Sequence, residues 1–128
     1  VLSHLGLGRN MIGNDGAFTL ANSLAHFPQL TSLDLCGNRF SLPGLTAVST
    51  ALASCSELKH LKLTFLQIGA GGAKEVQRIC ERCTRLEHLD LRDNQLGDAG
   101  TEILASGFRH CTRLRRLNLH SNGIADRG

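Results

Sequence analysis

Cysteine, histidine and aspartate side chains supply the groups in this sequence that could carry out chemistry. Cys80-Glu-Arg-Cys83 has the CxxC spacing that redox and zinc sites use. Asp34 and Asp90 could form a catalytic carboxylate pair. The histidines that could share a metal ion are His4, His60 and His88. Which of these groups can meet depends on the elements that position them.

A repeat of 28 residues runs through the chain and positions all of these groups. When the first leucine of each unit is counted as position 0, leucine also occupies positions 3 and 5 in all five units. Position 0 is Leu2, Leu30, Leu58, Leu86 and Leu114. The units are therefore 2–29, 30–57, 58–85, 86–113 and 114–128. We expect them to form one domain over 1–128, as a fragment of a longer array.

The periods within one unit predict its elements. Leucines at positions 3 and 5 alternate with polar residues, as in a strand, whereas apolar positions 10, 18 and 22 frame a helical segment. Asn14 and Asp98 lie where a helix N-cap is expected, and Ser41 followed by Pro43 predicts the start of the second helix. Neither element can bury its apolar face alone. Stacked units should give a parallel sheet on one side, helices on the other and a leucine core between them.

Two further columns predict contacts between units. Position 8 is asparagine except at Leu66, and a buried asparagine can bond free backbone groups where the strand enters its turn. We therefore expect a loosened or rearranged turn in the third unit. Position 14 is glycine in every unit, which indicates close approach between neighbours where a Cβ would clash.

The repeat also accounts for the cysteine motif and the glycine-rich segment. Cys80 and Cys83 fall in apolar columns, so packing is the favoured interpretation over metal or redox chemistry. We expect no disulfide between units. The segment 69–72 lacks the Lys-Ser/Thr of a phosphate-binding loop, and its glycines also belong to columns.

The aspartates and histidines belong to the strand columns. Asp34 and Asp90 lie two strands apart, or about 10 Å, with Lys62 between them. A ladder of alternating charge is favoured over catalysis. Only His60 and His88 share adjacent strands, so solvated or partner-contacting histidines are favoured over a metal site.

The columns LxxLxLxxN and LGxxG resemble the leucine-rich repeat family, in its 28-residue ribonuclease-inhibitor-like subtype, along essentially the whole chain. The resemblance implies an α/β horseshoe solenoid whose parallel sheet lines a concave, protein-binding face. Its members include ribonuclease inhibitors, the sensing regions of nucleotide-binding immune receptors and Ran GTPase-activating proteins. The sequence of residues 89–100 is most similar to repeats of the immune-receptor type.

The concave positions 2, 4, 6 and 7 are the predicted binding surface. It comprises His60, Lys62, Thr64, Phe65, His88, Asp90, Arg92, Asp93, Arg116, Asn118 and His120. Phe65 could be a binding anchor, but the favoured interpretation is that Phe65 and Leu66 both turn inward and repack. A second feature is an arginine rim, for which a solvated surface is favoured over an acidic protein, a nucleic acid or an anionic lipid. The rim consists of Arg82, Arg85, Arg109, Arg113, Arg115 and Arg116.

Composition narrows the classes of function. The formal charge of +3 is too small to indicate nucleic acid by itself, and no apolar run approaches the ~18 residues of a membrane span. An odd number of cysteines suggests free thiols in the cytoplasm.

We predict a non-enzymatic scaffold without cofactor or metal that binds a protein, as the sensing or regulatory repeats of a larger protein. The alternatives are a GTPase-activating repeat protein acting on a small GTPase, and an architectural component of a large assembly.

Overall fold

A computed structural model describes residues 1–128 and contains one parallel sheet of five short strands. Each strand covers positions 2 to 4 of its unit, as the alternation predicted. The strands are β1 (His4–Gly6), β2 (Ser32–Asp34), β3 (His60–Lys62), β4 (His88–Asp90) and β5 (Arg116–Asn118). They lie in chain order, and equivalent residues of successive units pair with each other, for example Leu33 with Leu61. The register of the sheet is therefore the register of the repeat.

A helix follows each of the first four strands and packs against the inner face of the sheet. The helices are α1 (Asn14–Leu24), α2 (Leu42–Leu52), α3 (Gly69–Arg82) and α4 (Gly97–Phe108). Helix α2 begins after Ser41 and carries Pro43 in its first turn, where a missing N–H costs nothing. None of the helices is both long and apolar enough to cross a membrane.

The core lies between the two layers and is almost entirely aliphatic. Leucines at positions 3 and 5 of the inner strands, such as Leu61 and Leu63, are at most 1% exposed. Val48 and Val76 meet them from the helices, and both are fully buried. Phe40 is the one aromatic residue in the fully buried cluster. The prediction of an α/β leucine-rich repeat solenoid is confirmed.

Asparagines at position 8 form the expected hydrogen-bonded ladder. Asn94 is fully buried, and its amide donates to the carbonyl oxygens of Leu63 and Leu91. Its Oδ1 accepts from the N–H of Leu66 at 2.9 Å. Asn94 thus bonds the turn of the preceding unit as well as its own strand, and Asn38 and Asn122 bond the units before them in the same way.

The prediction that Leu66 rearranges its own turn is wrong. Position 9 has a left-handed φ in the third unit, at Gln67, as it has in the first and fourth. The exception is Arg39, in the second unit. An asparagine in place of Leu66 would accept hydrogen bonds from the turn of the second unit. With leucine there, no side chain of the third unit accepts from the N–H of Asn38 in that turn. The effect of Leu66 therefore falls on the neighbouring unit.

Asn14 and Asp98 are also connected to a neighbour rather than to their own helices, where N-caps were predicted. The Oδ1 of Asn14 accepts from the N–H of Ser41 at 3.0 Å and of Gly44 at 3.1 Å. Asp98 accepts from the N–H of Ala125 at 2.6 Å. Both residues lie within the first turn of a helix and bond the start of the next unit's turn or helix, which corrects the N-cap prediction.

Close packing explains the glycine column. A Cβ on Gly44 would lie 2.7 Å from the Cβ of Phe40 and 3.0 Å from that of Ala17 in the preceding helix. A Cβ on Gly100 would lie 3.3 Å from the Cα of Ala70. The predicted close approach between units is confirmed at these positions, although the side chain at position 10 of the same unit also fills the space.

Replacing Asn94 by alanine should lower the free energy of unfolding by about 3 kcal/mol, because three buried backbone groups lose their partner. Urea unfolding followed by circular dichroism measures the loss. Asn10→Ala is the matched control, because Asn10 holds the same column position but is exposed. It should change stability by less than about 0.5 kcal/mol. Equal losses in the two variants would contradict the ladder.

Two glycine replacements in the helices should have opposite effects. Gly44→Ala should destabilise the fold by about 1–3 kcal/mol, because its new methyl group meets atoms that cannot move aside. Gly71→Ala should stabilise it by about 0.5–1 kcal/mol, because no atom lies within 4 Å and alanine favours the helix. Thermal melting compares them, and a shift of the same sign in both would refute this account.

Candidate binding surface on the concave face

The strands bring most of the predicted binding residues onto one face. At position 2, His60 pairs in register with His88, and His88 with Arg116. Position 4 places Lys62, Asp90 and Asn118 beside each other in the same way. The remaining predicted residues that reach the surface follow the strands at positions 6 and 7: Phe65, Arg92, Asp93 and His120.

Thr64 is a correction to this set. Its residue is only 3% exposed, so its hydroxyl is not available to a partner in this structure. Thr64 lies between Cys36 and Arg92 at the same position of the flanking units, and its carbonyl accepts from the N–H of Gly37. The side chain of Thr64 therefore remains below the surface, whereas Arg92 at the same position extends out of it.

Charged residues at position 4 have structural partners. The Nζ of Lys62 lies 3.7 Å from Asp34 Oδ2, as the predicted ladder requires. Asp90 instead lies 3.6 Å from the guanidinium of Arg92 in its own unit. The ladder is thus confirmed between β2 and β3, and Asp90 completes a separate ion pair.

Position 4 also stabilises the ends of three of the five strands, a role that the sequence patterns had not predicted. The Oδ1 atoms of Asp34, Asp90 and Asn118 each accept from the N–H two residues further on. This local bond is the Asx-turn that aspartate and asparagine favour. The signal was present in the sequence, because three of the five residues at position 4 are Asp or Asn.

His60 and His88 are in direct contact. Their ring centroids lie 4.5 Å apart in a T-shaped arrangement. Burial and the neighbouring His88 lower the pKa of His60, against a smaller opposing effect of Glu87. The imidazole of His60 is therefore predominantly neutral at pH 7.

A depression of about 530 Å³ lies over β3, β4 and β5, around this histidine pair. Its charged lining consists of Lys62, Arg115 and Arg116 against Asp90. Neither arginine forms an ion pair with an acidic residue, whereas Lys62 and Asp90 both do. The surface at this point carries unneutralised positive charge.

Phe65 lies beside a second depression, of about 270 Å³, formed by the turns of the third, fourth and fifth units. Phe65 is 50% exposed and has a φ of 55°. The interpretation that Phe65 and Leu66 both turn inward is therefore right for Leu66, which is 5% exposed, and wrong for Phe65. Gln67 and Gln95, at position 9, also line the depression and were missed by the sequence analysis.

The CxxC cysteines are packing residues, as predicted. Cys80 is fully buried and Cys83 is 1% exposed. Burial raises the pKa of the Cys83 thiol to about 12 and that of Cys55 above its usual range. The column at position 25 has a further function, because each thiol donates to a carbonyl of the preceding unit. Cys83 donates to Leu52, Cys55 to Leu24 and Cys111 to Cys80.

The arginine rim is only partly neutralised. Arg85 forms an ion pair with Glu57, and Lys59 lies 3.9 Å from Glu87 along the same rim. The other rim arginines are exposed and have no acidic partner within ion-pair distance: Arg82, Arg109, Arg113, Arg115 and Arg116.

Comparisons with known proteins agree with this geometry. A family profile described as Leucine Rich repeat matches residues 82–105 and 110–128, and one described as Leucine Rich Repeat matches residues 29–50. Together they cover just over half of the chain. The chain belongs to the leucine-rich repeat family. Domains of this family are generally protein-interaction scaffolds whose concave surface binds a partner.

Comparisons with curated sequences and with solved structures give less information than the family profiles. No curated protein sequence matches the chain. Among solved structures, 47 chains match, including an internalin (inlF) from Listeria monocytogenes str. 4b F2365 with 22% identity and a TM-score of 0.44. The match covers 81% of this chain but 32% of that structure, so this leucine-rich repeat chain spans about a third of the internalin.

We expect one fast-reacting thiol in the native protein. Cys36 is half-buried on the concave face, whereas the other four cysteines are buried within the fold. Titration with Ellman's reagent at pH 8 should give one equivalent rapidly, and all five only after unfolding. Cys36→Ser should remove the fast phase. Two or more fast thiols in the native protein would contradict the buried column.

Proposed function

We propose that this leucine-rich repeat domain is a non-enzymatic scaffold that binds a protein partner on its concave face. The observation that carries the proposal is Phe65. A phenylalanine in left-handed backbone costs about 1–2 kcal/mol, and half of its apolar surface remains in water. The equivalent residues are Arg9, Gly37, Asp93 and Ser121, of which Gly37 and Asp93 suit that conformation better. An exposed aromatic residue at such a site is a candidate binding anchor.

Polar residues around Phe65 would supply specificity. The ion pairs Lys62–Asp34 and Asp90–Arg92 hold charges of both signs in fixed places, which favours a complementary partner and opposes others. The proposed surface comprises His60, Lys62, Phe65, Gln67, His88, Asp90, Arg92, Asp93, Gln95, Arg116, Asn118 and His120.

We further propose that the domain is of the ribonuclease-inhibitor-like subtype and serves as the sensing or regulatory repeats of a larger cytoplasmic protein. The 28-residue period and the helices of 11 to 14 residues support the subtype. The three thiols that donate hydrogen bonds to carbonyls support a reducing compartment, because only a reduced cysteine can donate.

Phe65→Asn should remove binding without loss of stability. Asparagine tolerates left-handed backbone, so the free energy of unfolding should stay the same or rise by about 1 kcal/mol. Loss of a buried anchor should weaken the complex by about 2 kcal/mol or more. Tagged wild-type and variant domains would be compared by quantitative mass spectrometry of captured proteins and by urea unfolding.

Phe18→Ala is the matched control, because it removes a phenylalanine that is 42% exposed on α1, across the fold from the sheet. Proteins lost with Phe65→Asn and retained with Phe18→Ala would support concave-face binding. If the two variants lose the same proteins, or neither loses any, the proposal fails.

A further inference from the structure

We propose that the depression around His60, His88 and Arg116 binds an acidic segment of the protein partner, and that this binding strengthens as the pH falls. The inference rests on the proposed function, since it assigns a chemical class to the partner of the same concave face. Three observations carry it: the uneven charge of the lining, the contact between the two histidines, and the pairing of the strand backbone.

The lining has an excess of cations. Lys62, Arg115 and Arg116 line it together with a single carboxylate, that of Asp90, and Lys62 is already paired with Asp34 at 3.7 Å, so the excess lies with the two arginines. Asp90 already has Arg92 as its ion-pair partner, at 3.6 Å. Arg116 is exposed and unpaired, so a carboxylate placed in the depression gains a charge-assisted hydrogen bond without displacing an existing acidic partner.

Protonation adds to this excess. His60 is adjacent to His88 on β4, and the other titratable groups near it are His4 on β1, Lys59 in its own unit and Glu87 before β4. Glu87 is engaged with Lys59 at 3.9 Å. Two protonated rings with centroids 4.5 Å apart repel each other, and an anion bound over them relieves that repulsion.

The sign of the pH dependence follows from this repulsion. In the free protein, burial and His88 disfavour the charged form of His60 and lower its pKa. A bound carboxylate favours the charged form and raises the pKa again. Binding is therefore accompanied by proton uptake, and affinity rises as the pH falls through the histidine range.

Over β3 and β4, backbone pairing leaves recognition to side chains. The N–H and C=O groups of β3 and β4 are used in the ladders on both sides, so the partner cannot add a strand to the middle of the sheet. His60 and Arg116 lie two strands apart, or about 10 Å. Alternate residues of an extended peptide lie about 7 Å apart on one side. A peptide that crosses the strands can therefore place acidic side chains within the distance from His60 to Arg116.

A polypeptide fits this surface better than a nucleic acid. The lining contains no phenylalanine, tyrosine or tryptophan on which bases could stack, and its two histidine rings pack edge to face against each other. Asp34 and Asp90 lie among the cations at fixed positions, where they would repel a continuous row of phosphates. An acidic peptide can place neutral residues opposite them.

Isothermal titration with a synthetic peptide of five Glu-Ser repeats at pH 5.5 and 7.5 tests the inference. Glutamate remains ionised at both values, so a change in affinity reports on the protein. We expect the Kd to be lower by about tenfold at pH 5.5. A peptide with Gln in place of Glu should not bind at either pH. Equal binding of the Gln peptide, or a Kd independent of pH, would overturn the inference.

Variants test which residues bind the acidic peptide and which cause the pH dependence. The double variant His60→Gln, His88→Gln should bind the acidic peptide with the same Kd at both pH values. Arg116→Gln should weaken binding by about tenfold at each pH, whereas Arg82→Gln, which removes an exposed and unpaired arginine of α3, should leave the Kd unchanged. Circular dichroism confirms that each variant is folded. Retained pH dependence in the double histidine variant, or equal losses in the two arginine variants, would refute the site.

A single-stranded oligonucleotide is the competing ligand. If it binds the wild type as tightly as the acidic peptide and is equally sensitive to Arg116→Gln, the assignment to an acidic protein is wrong. If the peptide does not bind while captured proteins still depend on Phe65, the scaffold function stands and this inference falls. The two proposals therefore fail separately.

Discussion

Each repeat depends on hydrogen bonds that the next repeat supplies to its buried backbone. Asn94 bonds the carbonyl of Leu63, and Cys83 bonds the carbonyl of Leu52. In both cases a side chain of one unit satisfies a backbone group of the unit before it, 31 residues earlier. A buried carbonyl or N–H without such a partner would cost roughly 1–3 kcal/mol. The leucine columns supply the apolar burial, but these bonds set the distance and register between units.

The direction of these bonds explains why some sequence predictions were placed one unit away from the observed effect. The repeat predicted the strands, the core leucines and the glycine contacts, because these follow from periodicity and size. It placed the effect of Leu66 in the third unit and the caps of Asn14 and Asp98 on their own helices, because a linear sequence relates a residue to its neighbours in the chain. In this solenoid, Asn14, Asn94 and Asp98 instead bond backbone groups of an adjacent unit.

The candidate surface was less predictable than the fold, and for a different reason. Periodicity shows which face a residue occupies but not how far its side chain extends from that face. Thr64 and Arg92 share position 6, yet Thr64 is buried and Arg92 is exposed. At position 7 the ladder holds the backbone in a left-handed conformation whatever the residue, so Phe65 extends outward with Asp93 and Ser121. The sequence could identify Phe65 as unusual, but its direction depends on that turn.

The concave columns differ in how free they are to evolve toward a partner. Position 4 is constrained, because Asp34, Asp90 and Asn118 each hold the turn that ends their strand. A change there would alter both the fold and the surface. Positions 2 and 7 make no such bonds in the third and fourth units, so His60 and Phe65 can vary at little structural cost, and replacing Phe65 would even relieve backbone strain. Because a surface residue is easiest to change where it is uncoupled from stability, positions 2 and 7 can adapt to a partner while the paired charges of position 4 stay in place.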